Sequence, residues 1–298
     1  MKKLMMALAV LAATAVFAEG GNLRYSIQVN KFENKANWTG RWNLGDAWGT
    51  IFTDQLFQSG RFIVLGEADM RGAAISEQDA VASGRLATGK KAPKAGRMTP
   101  AQLLVKGAIT HVQETEGKGG GLSFKGFSIG ADKGSAEINV AIYLVDTTAG
   151  QVKASKTVIG KSGKGGLSFG YHGGALGGLG GDFSDFEKDN MGKATMDACN
   201  QALEFLVGQL ESIPWEGTVS LVKDDKLIIN RGTREGVAVG MKFDIGTVEE
   251  IVDDDTGEVI DTDMKKVGQV TVTEVKEKVS YTTPLVGAAK GMGVHPAK

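Results

Sequence analysis

The sequence has 298 residues, with 34 Lys and Arg against 35 Asp and Glu, and a formal net charge of −1 at pH 7. This balance gives no reason to expect a nucleic-acid partner, because binding phosphates through counterion release needs an excess of clustered Lys and Arg. The single cysteine, Cys199, excludes an intrachain disulfide. It lies among apolar residues spaced three and four apart, which predicts a core position on a helix.

The N-terminus has the order of a secretory signal peptide. Lys2 and Lys3 give a short positive region, and an unbroken apolar run follows from Leu4 to Phe17. Slim side chains at Val16 and Ala18 favour cleavage after Ala18. We therefore expect residues 1–18 to be a signal peptide and the protein to be exported; the alternative is a buried N-terminal helix. With no cysteine near the cleavage site, we expect no N-terminal lipid.

Residues 19–212 are predicted to form one α/β domain. Its first strand is indicated by alternating apolar residues over 22–30. Asp46 is placed to cap a helix that Ser59-Gly60 closes. A buried strand is predicted next at residues 61–65, followed by a weakly periodic helix at 67–86 and a basic glycine-rich loop at 84–96. A short helix from Thr99 then leads into a strand at residues 103–112.

Two more strands and a long amphipathic helix complete this domain, at residues 137–145, 151–159 and 189–210. Pro214 ends the helix, because proline cannot continue the helical hydrogen bonding. From there the periodicity changes to that of strands, which predicts a second, all-β domain over residues 213–298, either a small barrel or a sandwich. Its strands are expected at residues 217–222, 226–230, 241–245, 267–275 and 278–282.

Catalytic patterns do not emerge from the sequence. The three histidines, His111, His172 and His295, are far apart and have no Cys or His neighbours at metal-ligand spacing. Gly160-Lys161-Ser162 resembles the end of a phosphate-binding loop, but Ser155 stands where that loop needs glycine. We therefore expect no enzyme activity, no cofactor and no bound metal.

Two patches hold an unusual share of the 43 glycines: seven lie between Gly117 and Gly134, and twelve between Gly160 and Gly192. Apolar residues alternate within them, and the alternation changes phase at Gly126, which a β-bulge would explain. Membrane β-strands need only about 9 to 11 residues with one apolar face. The apolar residues in question are Leu122, Phe124, Phe127 and Ile129 in the first patch and Leu167, Phe169 and Tyr171 in the second.

We expect residues of about 117–145 and 156–190 to form two membrane hairpins. Two hairpins cannot close a barrel, since free strand edges are intolerable in lipid, whereas a ring of identical subunits can close one. The alternative is that both patches are surface loops, because glycine weakens strands and the apolar band is thin.

A loop with two tryptophans, from Asn37 to Trp42, follows the first strand. Exposed aromatic rings at such close spacing indicate contact with another chain, because each ring can bury about 150 to 250 Å². The alternative for Trp42 is that its ring folds back over the start of the helix that carries Trp48. The residues assigned here to a channel constriction or a partner contact are Asn37, Trp38, Thr39, Gly40, Arg41 and Trp42.

Several landmarks together resemble the curli secretion channel family, CsgG, over about residues 22 to 210. They are Trp48 to Phe62 with its Ser59-Gly60-Arg61-Phe62 step, Ile75 to Gln78, Val105 to Thr110, Gly126 to Asp132, Ala136 to Val145 and the turn Thr147 to Gly150. The resemblance implies a periplasmic α/β domain that forms a ring. Each subunit of such a ring adds two hairpins to an outer-membrane barrel that exports amyloid subunits, and the loop matching Asn37 to Trp42 narrows the channel.

The expected partners are therefore further copies of the chain, envelope or secreted protein subunits, and the outer membrane. Two departures favour an alternative, a soluble periplasmic scaffold or activator of the same family that binds envelope proteins without forming a pore. The lipidated cysteine of the secretion channel is missing. The extra C-terminal domain, with Gly232, Gly236, Gly240 and Asp255-Thr256-Gly257, is similar to the C-terminal β-domain of flagellar assembly protein T.

Overall fold

The computed structural model describes residues 23–40, 42–115, 123–124, 127–128, 134–163, 183–223 and 226–297. The expected signal peptide, residues 1–18, lies outside these ranges. The described chain divides into two compact units, Arg24–Pro214 and Trp215–Lys298.

The elements of the first unit are β1 (Tyr25–Val29), β2 (Glu33–Asn34), α1 (Leu44–Ser59), β3 (Phe62–Val64), α2 (Ala68–Ala82), β4 (Leu103–Thr115), β5 (Ser123–Phe124), β6 (Phe127–Ser128), β7 (Ser135–Asp146), β8 (Val152–Lys161), α3 (Phe183–Lys188) and α4 (Asn190–Gln209).

The described strands of the first unit form a mixed sheet in the order β3-β1-β4-β7-β8. β1 runs parallel to both β3 and β4, as a strand–helix–strand connection requires. β4, β7 and β8 are antiparallel, and β2 adds a short parallel pairing further along β4. The predicted mixed α/β class is confirmed. The phenolic hydroxyl of Tyr25 donates to the carbonyl of Ile213, so this unit joins residues 188 positions apart.

Helices α1 and α4 cover one face of the sheet and bury its apolar residues. α1 presents Trp48, Phe52 and Leu56, all fully buried. Its N-cap is Asn43, whose side chain accepts a hydrogen bond from the Asp46 backbone N–H, so the predicted cap at Asp46 is wrong by three residues. Gly60 ends the helix in the left-handed conformation (φ 63°), which favours glycine.

The predicted short helix from Thr99 does not form. The chain there is held in an extended path by β1: Ser26 Oγ donates to the carbonyl of Pro100 at 2.8 Å, and the Gln102 backbone N–H donates to Ser26 Oγ at 3.0 Å. The Gln102 side chain in turn accepts from the Ser26 backbone N–H. These tertiary hydrogen bonds outweigh the local helix signal.

α4 approaches β8 closely at Gly160. A Cβ atom at Gly160 would overlap the carbonyl oxygen of Ala194 and would lie 2.8 Å from the Cβ of Ala198. Cys199, on the same helix, is fully buried, as its spacing predicts. Burial raises the pKa of the Cys199 thiol well above its ordinary value, which leaves it uncharged and unreactive at neutral pH.

The second unit contains a closed six-stranded barrel in the order β10-β13-β12-β11-β14-β9. Of the two predicted all-β architectures, it is therefore the barrel that forms. Its strands are β9 (Gly217–Lys223), β10 (Lys226–Ile229), β11 (Lys242–Val252), β12 (Val259–Val275), β13 (Ser280–Thr282) and β14 (Gly293–Pro296). β14 has no counterpart among the predicted strands. β11 and β12 are also longer than predicted, because they extend toward the Asp255-Thr256-Gly257 turn as a two-stranded hairpin.

Stacked rings and a buried carboxylate organise the barrel. Trp215 stacks on Phe243 with ring centroids 5.2 Å apart, and the Arg231 guanidinium lies 5.9 Å from the Trp215 ring. The buried Glu235 side chain accepts from the Gly232 backbone N–H at 2.8 Å and pairs with Arg234 at 2.6 Å. The carboxylate is thereby satisfied, as a buried charge must be.

Gly160→Ala tests the helix–sheet contact. We expect it to lower the free energy of unfolding by about 1 to 3 kcal/mol, because the added methyl group overpacks the contact. Gly208→Ala is the matched control: it lies in α4 with nothing within 4 Å of an added Cβ. At that position the same substitution should raise the free energy of unfolding by about 0.5 to 1 kcal/mol, because alanine favours the helix more than glycine does. Urea unfolding measures both, and equal effects would contradict the contact.

Expression of residues 213–298 as a separate chain tests the domain division. The fragment should unfold cooperatively, because the barrel closes on itself and the Trp215 ring stacks on Phe243 of the same fragment. Trp215 is the sole tryptophan of the fragment, so its fluorescence reports directly on the folded core. Gradual unfolding with a solvent-exposed emission maximum would show that the barrel needs residues 19–212 to fold.

Candidate functional site

Both glycine-rich stretches leave the sheet of the first unit at the same end. We call residues 116–134 the first glycine segment and residues 162–182 the second. At the root of the first, Thr115 at the end of β4 pairs with Ser135 at the start of β7. At the root of the second, Glu137 on β7 pairs with Lys161 on β8. The antiparallel ladder therefore places the two roots side by side.

The tryptophan loop, residues 37–42, starts toward this same end. β2 pairs with β4 at Ala108 and Ile109 and runs in the same direction as β4. The backbone N–H groups of Lys35 and Ala36 then both donate to the carbonyl of Ile109 at 2.9 Å. The sheet thus directs the start of the loop toward the roots of both glycine segments.

A short antiparallel pair lies within the first glycine segment. Phe124 of β5 pairs with Phe127 of β6, and Ser123 pairs with Ser128. Gly126, where the sequence predicts a β-bulge, lies outside the described residues.

The tryptophan loop is closed on itself by two hydrogen bonds. The Asn34 side chain accepts from the Trp38 backbone N–H at 3.2 Å and donates to the Trp38 carbonyl at 2.8 Å. Asn37 between them adopts φ 53°, a left-handed conformation that asparagine tolerates better than most residues. The Trp38 ring lies over Gly40 so closely that a Cβ there would overlap it. A larger residue at position 40 would therefore force the Trp38 ring to move.

Trp42 turns inward. Its ring meets Phe186 edge-to-face, with centroids 5.2 Å apart, and Phe186 is fully buried. Phe186 lies in α3, directly after the second glycine segment. The loop is thus held against α3, the element that follows the second glycine segment, and this contact joins residues far apart in the sequence.

An aromatic cluster fixes the base of the loop. The Phe32 ring packs on Trp48 at 4.9 Å and on Phe52 at 6.4 Å between centroids. On its other side the ring occupies the space where Gly107 of β4 would carry a side chain. This arrangement joins β4, the start of the loop and α1 in one packed contact.

Charged groups line the neighbourhood of the loop and the segment roots. Lys31 pairs with Asp46 at 3.2 Å, and Lys161 pairs with Glu137 at 2.9 Å. The hydrogen bond to Asp46, reinforced by the attraction of that carboxylate, raises the pKa of Lys31 above its ordinary value. A pocket of about 290 Å³ lies at the roots and is lined by Gln113, Ser135, Ala136, Glu137, Lys161, Ser162 and Gly163.

The predicted site residues fall into three groups. Asn37, Trp38, Thr39, Gly40 and Trp42 are brought together in the loop. Phe124 and Phe127 are paired opposite each other. The others lie outside the described residues: Arg41, Leu122, Ile129, Leu167, Phe169 and Tyr171.

Four residues that shape the site were not predicted: Phe32, Asn34, Gly107 and Phe186. The role of Asn34 could have been predicted, since an asparagine side chain often forms a hydrogen bond with the backbone of the turn that follows it. The role of Gly107 could have been predicted as well, because a glycine inside a strand pattern indicates close approach by another group. Phe32 and Phe186 gave no such signal.

Within the described ranges, no three or more His, Cys, Asp or Glu side chains are grouped to hold a metal ion. Among the helices that the structure describes, none combines the length and apolarity needed to cross a membrane.

Trp42→Ala and Trp38→Ala should differ in their effect on stability. Loss of the Trp42 ring removes the contact with the buried Phe186, so we expect unfolding to become easier by about 1 to 3 kcal/mol. Trp38 rests mainly on its own loop, and its removal should cost less than about 1 kcal/mol. Chemical denaturation of both variants measures this, and a larger loss at Trp38 would refute the inward packing of Trp42.

Solved structures with similarity to the chain come from several bacteria. The hypothetical protein CT253 from Chlamydia trachomatis is 14% identical, with a TM-score of 0.36, covering 62% of this chain and 96% of its own. The PelC dodecamer from Paraburkholderia phytofirmans is 16% identical, with a TM-score of 0.26, covering 46% of this chain and 70% of its own. Lipoprotein GNA1162 from Neisseria meningitidis is 14% identical, with a TM-score of 0.27, covering 46% and 82%.

TM-scores this low do not establish a shared overall architecture, so the family assignment rests on the sequence. No curated protein sequence matches the chain significantly. A protein-family model does match, over residues 13–236, and its description is "Curli production assembly/transport component CsgG". This range takes in the whole described α/β unit with the tryptophan loop and the roots of both glycine segments. The chain therefore belongs to the CsgG family.

Proposed function

We propose that the protein is an oligomeric outer-membrane channel of the curli-secretion type that exports a protein subunit. Membership of the CsgG family supports a role in envelope secretion or assembly. The observation that carries the channel itself is the shared exit of both glycine segments from one end of the sheet. Hairpins that start side by side are what a subunit must contribute to a common barrel wall.

The lengths of the two segments suit a membrane. Between Thr115 and Ser135 there are 19 residues, and between Lys161 and Phe183 there are 21. Each segment divides into two halves of about 10 residues, within the roughly 9 to 11 that a tilted membrane strand needs. The two hairpins would therefore have nearly the same height, as adjacent hairpins of one barrel must.

The described register supports an apolar face on the first hairpin. Phe124 and Phe127 pair directly opposite each other, and residues paired in this way would share one face of a hairpin. Continuing this register by two residues would place Leu122 opposite Ile129 on that face. The same face would then carry the four apolar residues of the segment. Leu167, Phe169 and Tyr171 alternate in the same way in the second segment.

A ring of copies follows from this proposal. One subunit contributes four strands, and a lipid-exposed sheet must have no free edge, so identical neighbours must supply the remainder. The tryptophan loop, on the same end of the sheet, would face the ring axis and act as the constriction. This function needs neither a catalytic group nor a cofactor.

A second candidate is a soluble periplasmic scaffold or activator of the same family. The observation in its favour is the thin apolar band, with four apolar side chains in the first segment among many glycines. An assembly role would also fit the sequence resemblance to the C-terminal domain of flagellar assembly protein T, which rests on Gly232, Gly236, Gly240 and Asp255-Thr256-Gly257. Under this proposal the glycine segments bind envelope proteins and do not enter lipid.

Membrane fractionation with paired variants separates the two candidates. Under the channel proposal, Leu122→Arg with Ile129→Arg should abolish retention in carbonate-washed membranes, since each Arg on a lipid face costs up to about 2 to 4 kcal/mol. The matched control is Ser123→Arg with Ser128→Arg, a described cross-strand pair that would lie on the opposite face under this proposal. This control should stay membrane-bound and change only the ion selectivity in planar bilayers.

The unmodified protein sets the reference for this test. It should resist carbonate extraction and conduct ions after reconstitution into a planar bilayer. Quantitative release by carbonate, together with no conductance, would reject the channel in favour of the scaffold. Equal retention of both double variants would reject the assignment of the apolar face.

A further inference from the structure

The β11–β12 hairpin extends beyond the closed barrel of the second unit. β11 pairs with β14 only from Phe243 to Gly246, whereas its pairing with β12 continues to Val252. We call residues 247–265 the barrel arm. Every residue from Thr247 to Val252 is exposed, as is every residue from Val259 to Asp263. The arm is therefore a two-stranded ribbon with both faces accessible, which is marginally stable without further packing.

The arm is both acidic and apolar. From Glu249 to Asp263 there are eight Asp and Glu and no Lys or Arg. Glu249 pairs with Asp263, and Ile251 pairs with Asp261, which places three carboxylates around one apolar side chain on one face. Val248 pairs with Met264 on the opposite face. The exposed branched side chains are Val248 at 39%, Ile251 at 45%, Val252 at 44%, Val259 at 45% and Ile260 at 61%.

Exposed apolar residues on an uncovered ribbon indicate a contact surface, because a strand edge left open invites pairing with other chains. The acids around them restrict the partner. Burying these apolar side chains also brings the carboxylates close to the partner, so a neutral or acidic partner would be rejected. The arm therefore requires a basic surface with apolar residues of its own.

The first unit carries such a surface. Between α2 and β4, residues 85–97 contain five Lys and Arg and no Asp or Glu. All five are exposed: Arg85, Lys90, Lys91, Lys94 and Arg97. Leu86 among them is 42% exposed. We call residues 85–97 the basic loop.

We propose that the barrel arm of one subunit docks against the basic loop of a second copy of the chain. Both surfaces are exposed in the described part of the same chain, and their charges are opposite. Every additional copy therefore brings one arm and one loop. The contact is heterologous, joining different surfaces of the two subunits, and such contacts generate rings when the rotation closes. It does not depend on whether the glycine segments enter a membrane.

The contact should be sensitive to salt. Exposed charges attract each other over a Debye length of about 8 Å at physiological ionic strength, and over only about 3 Å at 1 M. We expect sedimentation velocity to show self-association at low salt that weakens as salt is added. Self-association that is unchanged by salt would contradict a docking surface built on complementary charge.

Charge reversal tests which surfaces meet. Glu249→Lys with Asp263→Lys reverses the arm, and Lys90→Glu with Lys91→Glu reverses the loop. Each double variant should raise the dissociation constant for self-association by about 10-fold or more, because like charges then face each other. The control, Glu204→Lys with Glu211→Lys, changes two exposed acids outside both surfaces. It should leave the constant within about twofold, the range expected of distant surface changes.

Mixing the two double variants should restore association, since the reversed arm of one then meets the reversed loop of the other. Combining all four changes in one chain should restore it as well. Rescue in the combined chain but not in the mixture would show an arm–loop contact within one subunit and overturn the proposal. So would normal self-association of either double variant, with thermal unfolding confirming that each variant is folded. Neither result bears on the channel, whose test is membrane retention.

Discussion

The contact between Phe32 and Gly107 determines how the loop of the candidate site is placed. The Phe32 ring fills the space above Gly107 and packs on Trp48 and Phe52 at the same time. A side chain at Gly107 would displace that ring, and with it the start of the tryptophan loop. The ring thus couples the sheet, the first helix and the loop, so the loop has a defined position relative to the roots of both glycine segments.

The second fixed point of the loop is Trp42 against Phe186. Between these two aromatic contacts, the chain from Lys31 to Trp42 is held at both ends. Asn34 then ties the middle of the loop back to itself through Trp38. A loop anchored in this way can present Trp38 and its neighbours to a passing or docking chain without a large loss of conformational freedom, because most of that entropy is already lost on folding.

Much of the fold follows from local sequence patterns. Apolar alternation located most strands, and helix-capping chemistry located α1 and α4 within a few residues. The errors arose where distant contacts outweighed local preference: Ser26 and Gln102 hold the Thr99 segment extended, although its sequence favours a helix start. β14 was missed because Gly293 to Pro296 has only four residues, includes a glycine and a proline, and has a single strand-forming residue, Val294. The arm was missed because acidic residues have low strand propensity.

The contacts within the candidate site could not be predicted from the sequence. The cluster of two tryptophans drew attention to the loop, yet its contact with Phe186 joins segments that no sequence spacing relates. Local patterns show which residues share a face, whereas the partner of that face is set by tertiary packing.

The bond from Tyr25 to Ile213 has a consequence for the order of folding after export. It joins residues 188 positions apart. The parallel pairing of β1 with β4 likewise cannot form until β4 is present. Contacts so distant in sequence are slow to form. A chain that enters a new compartment N-terminus first cannot finish its α/β unit until almost all of that unit has crossed. The glycine segments are therefore delivered before the sheet that roots them is closed, and their low apolar content limits aggregation during that interval.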